Sequence, residues 1–259
     1  MKGRLLFLGT GASAGVPVIG CECEVCRSDS SFNKRFRPSV LINIQDKQFL
    51  IDAGPDFRSQ ALLHKITSLD AVLFTHSHHD HTAGIDELRF FYYKSKKSLP
   101  VFLSEETAED IRKRFYYIFK HEPVYANMVP KLDLTILPDS VGQFLFESIP
   151  ISYVSYVQGG MKVTGFRFGE MAYLSDIHDY PLSIFEDLRG VKTIVISALR
   201  HESSLLHFSI KEAIEFIDKI GAEKAWLTHM SHDLDYVLTN ELLPPHIRMA
   251  YDGLEIDFG

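Results

Sequence analysis

The sequence AVLFTHSHHDH at residues 71–81 says most about the fold of this chain. Its leading apolar run predicts a buried strand, and in an extended segment His76 and His78 point the same way. A turn into a helix then lets Asp80 and His81 approach from another direction. Imidazole and carboxylate groups both bind Zn, Mn or Fe, so the stretch indicates a site for two neighbouring metal ions. A solvated histidine-rich loop or a stray metal-binding tag is the alternative.

Short β-type runs alternate with helical patterns along the whole chain, and no Pro/Gly/Ser-rich linker divides it. This alternation predicts an α/β sandwich, in which helices cover the outer faces of sheets, built as one domain over residues 1–259. Strands are predicted at residues 4–8, 40–44, 49–52, 71–75, 101–103, 134–137, 144–151, 164–168, 172–174, 193–198, 225–228 and 254–258.

Helices are predicted at three places. The clearest begins after Ser209, whose S-x-x-E pattern with Glu212 is a capping box, and it ends at Gly221. The spacing of apolar residues predicts a second helix over residues 108–119. A third is expected to open near Thr82 and to carry Leu88.

The charge and hydropathy of the chain limit the kinds of partner that are expected. The chain has 259 residues and a net charge of −7, and this acidic balance argues against nucleic acid as a partner. No apolar run approaches the roughly 20 residues that span a bilayer. The apolar stretch at residues 5–8 is too short for a secretory signal. A cytoplasmic protein with no membrane partner is therefore expected.

All three cysteines, Cys21, Cys23 and Cys26, lie close together in the sequence. An odd and crowded set of thiols is a poor disulfide framework but a good metal site. A closed tetrahedral zinc site needs a fourth ligand, and spacing alone cannot choose it among the 12 histidines. Free reduced thiols are the alternative.

The sequence resembles the metallo-β-lactamase superfamily along nearly its whole length. Within the superfamily it is most similar to the PhnP-type phosphoribosyl 1,2-cyclic phosphate phosphodiesterases. This resemblance implies a four-layer αββα sandwich with one or two catalytic divalent ions, Mn²⁺ or Zn²⁺. It is carried by the histidine motif at 76–81 and by GTG at 9–11, GVP at 15–17, C-x-C-x-x-C at 21–26, LIDAG at 50–54, LSD at 174–176, HFS at 207–209 and LTHMSH at 227–232.

The resemblance also assigns metal ligands. It chooses His232 as the fourth ligand of a structural zinc ion beside the three cysteines. Read from the residues alone, Asp176 and His229 end predicted strands, where a turn aspartate or a packed histidine would be ordinary. For the catalytic ions, the resemblance implies that His76 and His78 bind the first ion and that Asp80, His81 and His229 bind the second. Asp176 would bridge the two ions.

Gln158 stands where relatives supply a further histidine to the first metal. Its amide oxygen could coordinate, but it is a weaker donor than imidazole and favours harder ions such as Mn²⁺. The first site is therefore expected to bind its ion loosely or to be empty.

Two residues are expected to be catalytic: Asp80 through its metal, and His207, by resemblance, as the acid that protonates a leaving alkoxide. His207 could instead simply pack beside Phe208. Asp52 is expected to orient a ligand histidine, although it could equally be a turn residue. The candidate phosphate contacts, which have no diagnostic spacing, are Arg58, Arg200 and Lys162.

The leading prediction of function is a metal-dependent hydrolase, a phosphodiesterase that acts on a small cyclic phosphodiester by attack of a metal-held hydroxide. Two enzyme alternatives remain: a tRNA 3′-end endonuclease, and a hydrolase of a lactone or thioester. A third alternative is a non-catalytic carrier or binding protein with an incomplete metal site, which Gln158 motivates. Whether the chain forms a homodimer is left open.

Overall fold

The computed structural model describes residues 1–120 and 128–259, and the strands of this part form two seven-stranded sheets. The strands are β1 (Gly3–Gly9), β2 (Ser39–Ile44), β3 (Lys47–Ile51), β4 (Ala71–Leu73), β5 (Leu99–Ser104), β6 (Leu132–Leu137), β7 (Val141–Phe146), β8 (Ile149–Gln158), β9 (Met161–Phe168), β10 (Met171–Leu174), β11 (Thr193–Ser197), β12 (Lys224–Thr228), β13 (Ile247–Met249) and β14 (Glu255–Phe258).

Each sheet is mixed, with a parallel half and an antiparallel half. The first has the strand order β14-β1-β2-β3-β4-β5-β6, and the second has the order β13-β12-β11-β10-β9-β8-β7. Strands β3 to β6 pair in parallel, and so do strands β10 to β13. Loops at the carboxyl ends of parallel strands carry the sites of open α/β sheets, so those ends are where functional side chains are expected.

Helices cover the sheets and fill the connections. They are α1 (Glu24–Arg27), α2 (Phe57–Leu63), α3 (His79–Thr82), α4 (Arg89–Ser95), α5 (Glu105–Arg114), α6 (Tyr116–Phe119), α7 (Ile184–Asp187), α8 (Ile210–Ile220) and α9 (Tyr236–Leu242), with 3₁₀ turns at Ser31–Asn33 and Ile85–Leu88.

Buried apolar residues form separate clusters between these layers. Leu5 and Phe7 of the first sheet share one cluster with Tyr173 and Val195 of the second, so the sheets pack face to face. On its other face the second sheet packs against α8, and the first sheet packs against α2 and α5. The predicted four-layer αββα sandwich is therefore confirmed.

The capping predictions for α8 are also confirmed. The Ser209 hydroxyl accepts a bond from the Glu212 amide at 3.3 Å, and the Ser209 amide donates to Glu212 Oε2 at 2.8 Å. Gly221 ends the helix with a φ of 75°, a conformation that glycine adopts without steric cost.

Three predicted elements differ from the structure. The strand predicted over residues 144–151 was wrong: β7 and β8 are two strands of a hairpin, and Glu147 makes the turn between them with a φ of 51°. Apolar residues on both sides of this short turn concealed it. The helix over 108–119 breaks at Phe115, whose φ of −108° and ψ of 38° are not helical. Thr82 ends α3 instead of opening a helix.

No helix in the described ranges is long and apolar enough to cross a bilayer. That the chain is one domain stays a prediction.

Candidate metal centre

The candidate ligands lie at the carboxyl ends of parallel strands from both sheets. His76 follows β4, Asp176 follows β10, and His229 follows β12 directly. All three side chains are buried. Residues separated by about half the chain are thus brought to one edge of the sandwich, as the family resemblance implied.

Three residues of this region have left-handed backbone conformations, which are uncommon for residues other than glycine. The φ angles are 62° at Asp52, 55° at Asp176 and 56° at His229. Such strain persists only where surrounding contacts enforce it, and it concentrates at functional sites. A sharp reversal directly after each strand turns these side chains towards the common centre.

The backbone around the histidine motif is held by the loop after β3. Ala53 donates its amide to the carbonyl of His81 at 2.8 Å. A Cβ atom at Gly54 would lie 2.0 Å from the carbonyl oxygen of Asp80. Only glycine therefore allows this loop to lie against α3, which explains the LIDAG segment physically.

The side chains form three overlapping groups of ligand atoms. His76, His81 and Asp176 make the first, Asp80, His81 and His229 the second, and Asp176, His207 and His229 the third. Tetrahedral coordination at the usual bond lengths separates nitrogen and oxygen ligands by about 3.4 Å. The observed separations match, since His76 Nε2 lies 3.0 Å from His78 Nδ1 and His229 Nε2 lies 3.4 Å from Asp80 Oδ2.

Asp176 belongs to two of these groups. Its Oδ2 is 3.1 Å from His81 Nε2, and its Oδ1 is 3.2 Å from His229 Nε2. Burial opposes its ionisation, but the neighbouring His229 and His81 outweigh that and hold the pKa of Asp176 well below its usual range. An ionised carboxylate in this position is suited to bridging two cations.

His81 shows most directly that a cation fits. Its Nδ1 lies 2.6 Å from Asp52 Oδ2, while its buried Nε2 has no hydrogen-bond partner among the described residues. That nitrogen faces Asp176 at 3.1 Å and Asp80 at 3.4 Å. A neutral imidazole would therefore direct its lone pair at two carboxylates, an arrangement that a divalent cation between them stabilises.

The pKa values agree with this interpretation. Burial opposes protonation of His81, but the charges of Asp80 and Asp52 outweigh it and raise its pKa well above the usual range. In contrast, burial and repulsion from His81 lower the pKa of His76 well below the usual range, so His76 is neutral. The same carboxylates that favour a positive charge on His81 would favour a divalent cation beside its Nε2.

Asp52 orients His81, as predicted. It is fully buried and also accepts bonds from the Thr75 amide and the Thr75 hydroxyl, both at 2.8 Å. The sequence reasoning missed Thr75. Its position as a polar residue between an apolar strand and the first histidine was the available clue.

Gln158 lies at the centre, where the resemblance places a histidine. Its Nε2 donates to Asp176 Oδ1 at 2.9 Å, and its Oε1 is buried with no partner in the described part of the chain. Amide N and O are assigned from such contacts. A half-turn of the amide would place Oε1 beside Asp176. In that orientation Gln158 Oε1 and the Asp176 carboxylate could bind the same ion, so Gln158 fits a metal site.

His207 reaches the same cluster from the loop before α8. Its Nδ1 lies 3.2 Å from Asp176 Oδ1, and its ring stacks on His229 with the ring centroids 5.0 Å apart. The side chain is 17% exposed, against 2% or less for His229, Asp176 and His81. His207 therefore lies where the centre meets solvent, whereas Phe208 packs against His178, Tyr180 and Phe216.

The three cysteines converge on His232, as predicted. Their Sγ atoms lie 3.3, 3.4 and 3.6 Å from His232 Nδ1. Thiolate and imidazole ligands of tetrahedral zinc are about 3.5 Å apart, so the four residues fit a zinc ion. A bond from the Cys26 amide lowers the pKa of Cys23 to about 6, which favours its thiolate.

None of the candidate phosphate contacts belongs to the groups of ligand atoms in the described part of the chain. Arg58 lines an apolar groove beside α2 and α4. Arg200 lines a separate cleft with residues 12–15 and 231–233, and Lys162 lies on β9 opposite Val157. Their roles stay predictions.

The family model described as the beta-lactamase superfamily domain matches residues 47–230. Together with the two-sheet fold and the histidine motif, this match shows that the chain belongs to the metallo-β-lactamase superfamily. Among solved structures it is similar to one described as a new diphosphatase from the PhnP family. The two are 34% identical with a TM-score of 0.91, over 100% of this chain and 98% of the other.

Two further relatives extend the comparison. A Porphyromonas gingivalis protein named octanoyltransferase is 39% identical over 97% of this chain, but the chain spans only 51% of that protein. The Zn²⁺-bound PqqB of Methylobacterium extorquens has a TM-score of 0.77 at 17% identity, over 98% of this chain and 100% of the other, which shows a shared fold.

Proposed function

We propose that this chain is a metal-dependent phosphoric diester hydrolase that acts on a small cyclic phosphodiester. The observation that carries the proposal is the set of overlapping ligand groups that share His81, Asp176 and His229. Two adjacent divalent ions, Mn²⁺ or Zn²⁺, would supply a nucleophilic hydroxide at neutral pH and offset charge on the phosphoryl oxygens.

The protein's own groups support the same chemistry. Asp52 holds the tautomer of His81 that leaves Nε2 free for a ligand bond. His207 lies at the solvent side of the centre and donates a proton from its ring to the leaving oxygen. With its Nε2 towards Asp176, Gln158 donates to that carboxylate at 2.9 Å and contacts His207 Nε2 at 3.1 Å, so this orientation positions both side chains when no ion is coordinated by Oε1.

A second candidate keeps the metal centre and changes the scissile bond to a phosphoanhydride. It is favoured by the similar structure, which is described as a diphosphatase. In-line attack on phosphorus and charge neutralisation by two ions serve both bonds.

A third candidate is hydrolysis of an octanoyl thioester. The name of the Porphyromonas gingivalis relative favours it, although that activity could belong to the half of the protein that this chain does not span. Leu205 and Leu206, which are 90% and 47% exposed, directly precede His207 and offer apolar contacts beside the centre. The net charge of −7 still argues against a tRNA endonuclease.

One assay separates these candidates. Purified protein with added Mn²⁺ or Zn²⁺ is offered a nucleoside 2′,3′-cyclic phosphate, a nucleoside diphosphate and octanoyl-coenzyme A. We expect the cyclic phosphodiester to be cleaved fastest and Asp80→Asn to reduce turnover to background. Asp46→Asn, at an exposed position between β2 and β3, is the matched control and should be fully active.

Faster turnover of another substrate would replace the proposal with that candidate. Absence of turnover of all three substrates with either metal would instead support a carrier or binding protein.

A further inference from the structure

The segment that carries both His229 and His232 is held by a buried arginine outside the ligand sets. Arg35 is 2% exposed. Its Nη1 donates to the Ser231 carbonyl at 2.9 Å, and its Nη2 donates to the Leu234 carbonyl at 2.7 Å. The rigid fork of a guanidinium fixes two acceptors relative to each other, so these bonds fix the backbone on both sides of His232.

Asn33 completes this contact, and together the two residues form what we call the Arg35 clamp. The Asn33 Oδ1 accepts from Arg35 Nη2 at 3.2 Å and from the Tyr236 amide at 3.0 Å. Its Nδ2 donates to Asp235 Oδ2 at 2.7 Å. Asn33 is also 2% exposed, so the clamp is shielded from water along the segment from Ser231 to Tyr236.

The same arginine reaches the zinc site through its backbone. The Arg35 amide donates to the Val16 carbonyl at 2.7 Å, and the Val16 amide donates back at 2.9 Å. Val16 packs in the small cluster that contains Cys26. The clamp therefore joins the cysteine loop to the histidine segment without using the metal.

Burying the charged guanidinium of Arg35 costs desolvation free energy. None of the described carboxylates forms an ion pair with it. Backbone carbonyls and the Asn33 amide oxygen accept from its Nη1 and Nη2, while its buried Nε has no partner in the described part of the chain. Burial lowers its pKa to about 10, and the nearby charges of Asp252 and Asp235 offset the cost of desolvation only in part. What its hydrogen bonds provide is a fixed backbone geometry for residues 231–234.

That geometry matters most at His229. Its φ of 56° is strained and needs support from the flanking backbone. On the amino side, Thr228 belongs to β12. On the carboxyl side, Met230 bonds to Thr10 at 2.9 Å, and the Arg35 clamp begins at the next residue.

We propose that Arg35 is a positioning residue that holds His229 and His232 in place for their two metal ions. It acts through the backbone of residues 231–234 and touches neither ion. The inference rests on the metal centre of the proposed function but not on any substrate. It can therefore be tested by metal binding without turnover.

The test compares Arg35→Met with Arg167→Met. Arg167 is the control because its partly buried guanidinium donates to three backbone carbonyls, those of Gly169, Asp187 and Arg189, in loops that carry no candidate ligand. Mn²⁺ is titrated by electron paramagnetic resonance, since a thiolate site disfavours this ion and the titration reports on the catalytic centre. Zinc content and thermal unfolding are measured in parallel.

Both variants are expected to lower the melting temperature. Only Arg35→Met should weaken Mn²⁺ binding, by about 10–100-fold, the usual effect of losing a group that orients a ligand. It should also release zinc more readily to a chelator. Arg35→Lys should recover part of the Mn²⁺ affinity and part of the zinc retention, because an ammonium can still donate to one carbonyl.

Equal Mn²⁺ affinity in the Arg35→Met and Arg167→Met proteins would show that Arg35 is only structural. If Arg35→Met does not fold, Asn33→Ala removes the other half of the clamp, with Asn43→Ala on β2 as its control. Unchanged Mn²⁺ and zinc binding in Asn33→Ala would then overturn the inference. Inactivity of the unsubstituted protein on every phosphodiester would reject the proposed substrate and leave the metal-binding result intact.

Discussion

Asp52, Asp176 and His229 share an unusual backbone conformation as well as a common location. Each closes a strand and reverses direction at once, so the strain is placed where a side chain must be aimed. Asp52 then acts on His81, and Asp176 faces both His81 and His229. The left-handed backbone conformation of these three residues therefore accounts for much of the geometry of the centre.

His207 is the residue whose role is most open to a direct test. We expect His207→Ala to lower kcat by about 10²–10⁴-fold on a cyclic nucleotide, since an alkoxide leaving group needs a general acid. Bis-p-nitrophenyl phosphate should be affected much less, because its leaving group departs without a proton. Kinetics on the two substrates provide the measurement.

Two controls define the interpretation of that variant. His178→Ala, which removes a contact with the Ser204 carbonyl in the same loop region, should keep both activities. Metal content of His207→Ala should equal that of the unsubstituted protein. Loss of one ion per chain would instead identify His207 as a ligand, in place of the histidine that Gln158 replaces.

Helix α8 shows how local chemistry positions a functional loop. Its capping box begins at Ser209, close behind His207, and its buried face packs against the second sheet. The sequence predicted both ends of this helix because each end has its own residue pattern. The hairpin of β7 and β8 had no such pattern, since its turn contains neither Asn-Gly nor another strong turn pair.

Ser209→Ala should destabilise the protein by about 1 kcal/mol, the usual cost of losing a helix N-cap. Ser183→Ala is the matched control, because Ser183 precedes α7 but makes no capping bond with its side chain. Urea unfolding of the two variants measures the difference. An equal loss in both would mean that the capping box contributes nothing beyond the removal of a hydroxyl.

Long-range polar contacts tie the first part of the chain to its last part. Asp252 accepts bonds from the Thr10 hydroxyl at 2.7 Å and from the Phe36 amide at 2.6 Å. Burial raises the pKa of Asp252 from 3.8 to about 7. The folded state therefore holds this proton over a range in which the unfolded chain has lost it.

The sign of the resulting pH dependence follows from proton linkage. Where the folded state binds more protons, the free energy of unfolding decreases as pH rises. The contribution of Asp252 is full below a pH of about 4 and is lost as pH rises through about 7. Asp252→Asn should remove this slope, so urea unfolding at several pH values should show the two proteins diverging over that range. Parallel curves would contradict the assignment.

The sequence by itself determined the class of fold and most of the candidate ligands. Strand periodicity, the α8 caps and the histidine motif are local patterns, and each acts over a few residues. The cysteine spacing likewise indicated a metal site, although only family resemblance could select His232 among 12 histidines.

Tertiary structure alone decided which distant groups meet. The Arg35 clamp, the support of Asp52 by Thr75 and the contact of Gln158 with His207 join residues whose neighbours in sequence do not indicate their partners. Periodicity shows which face of a strand is buried, but it does not state which strand lies beside it. Those pairings arise from the packing of two sheets, which brings the ends of β3, β4, β10 and β12 to one edge.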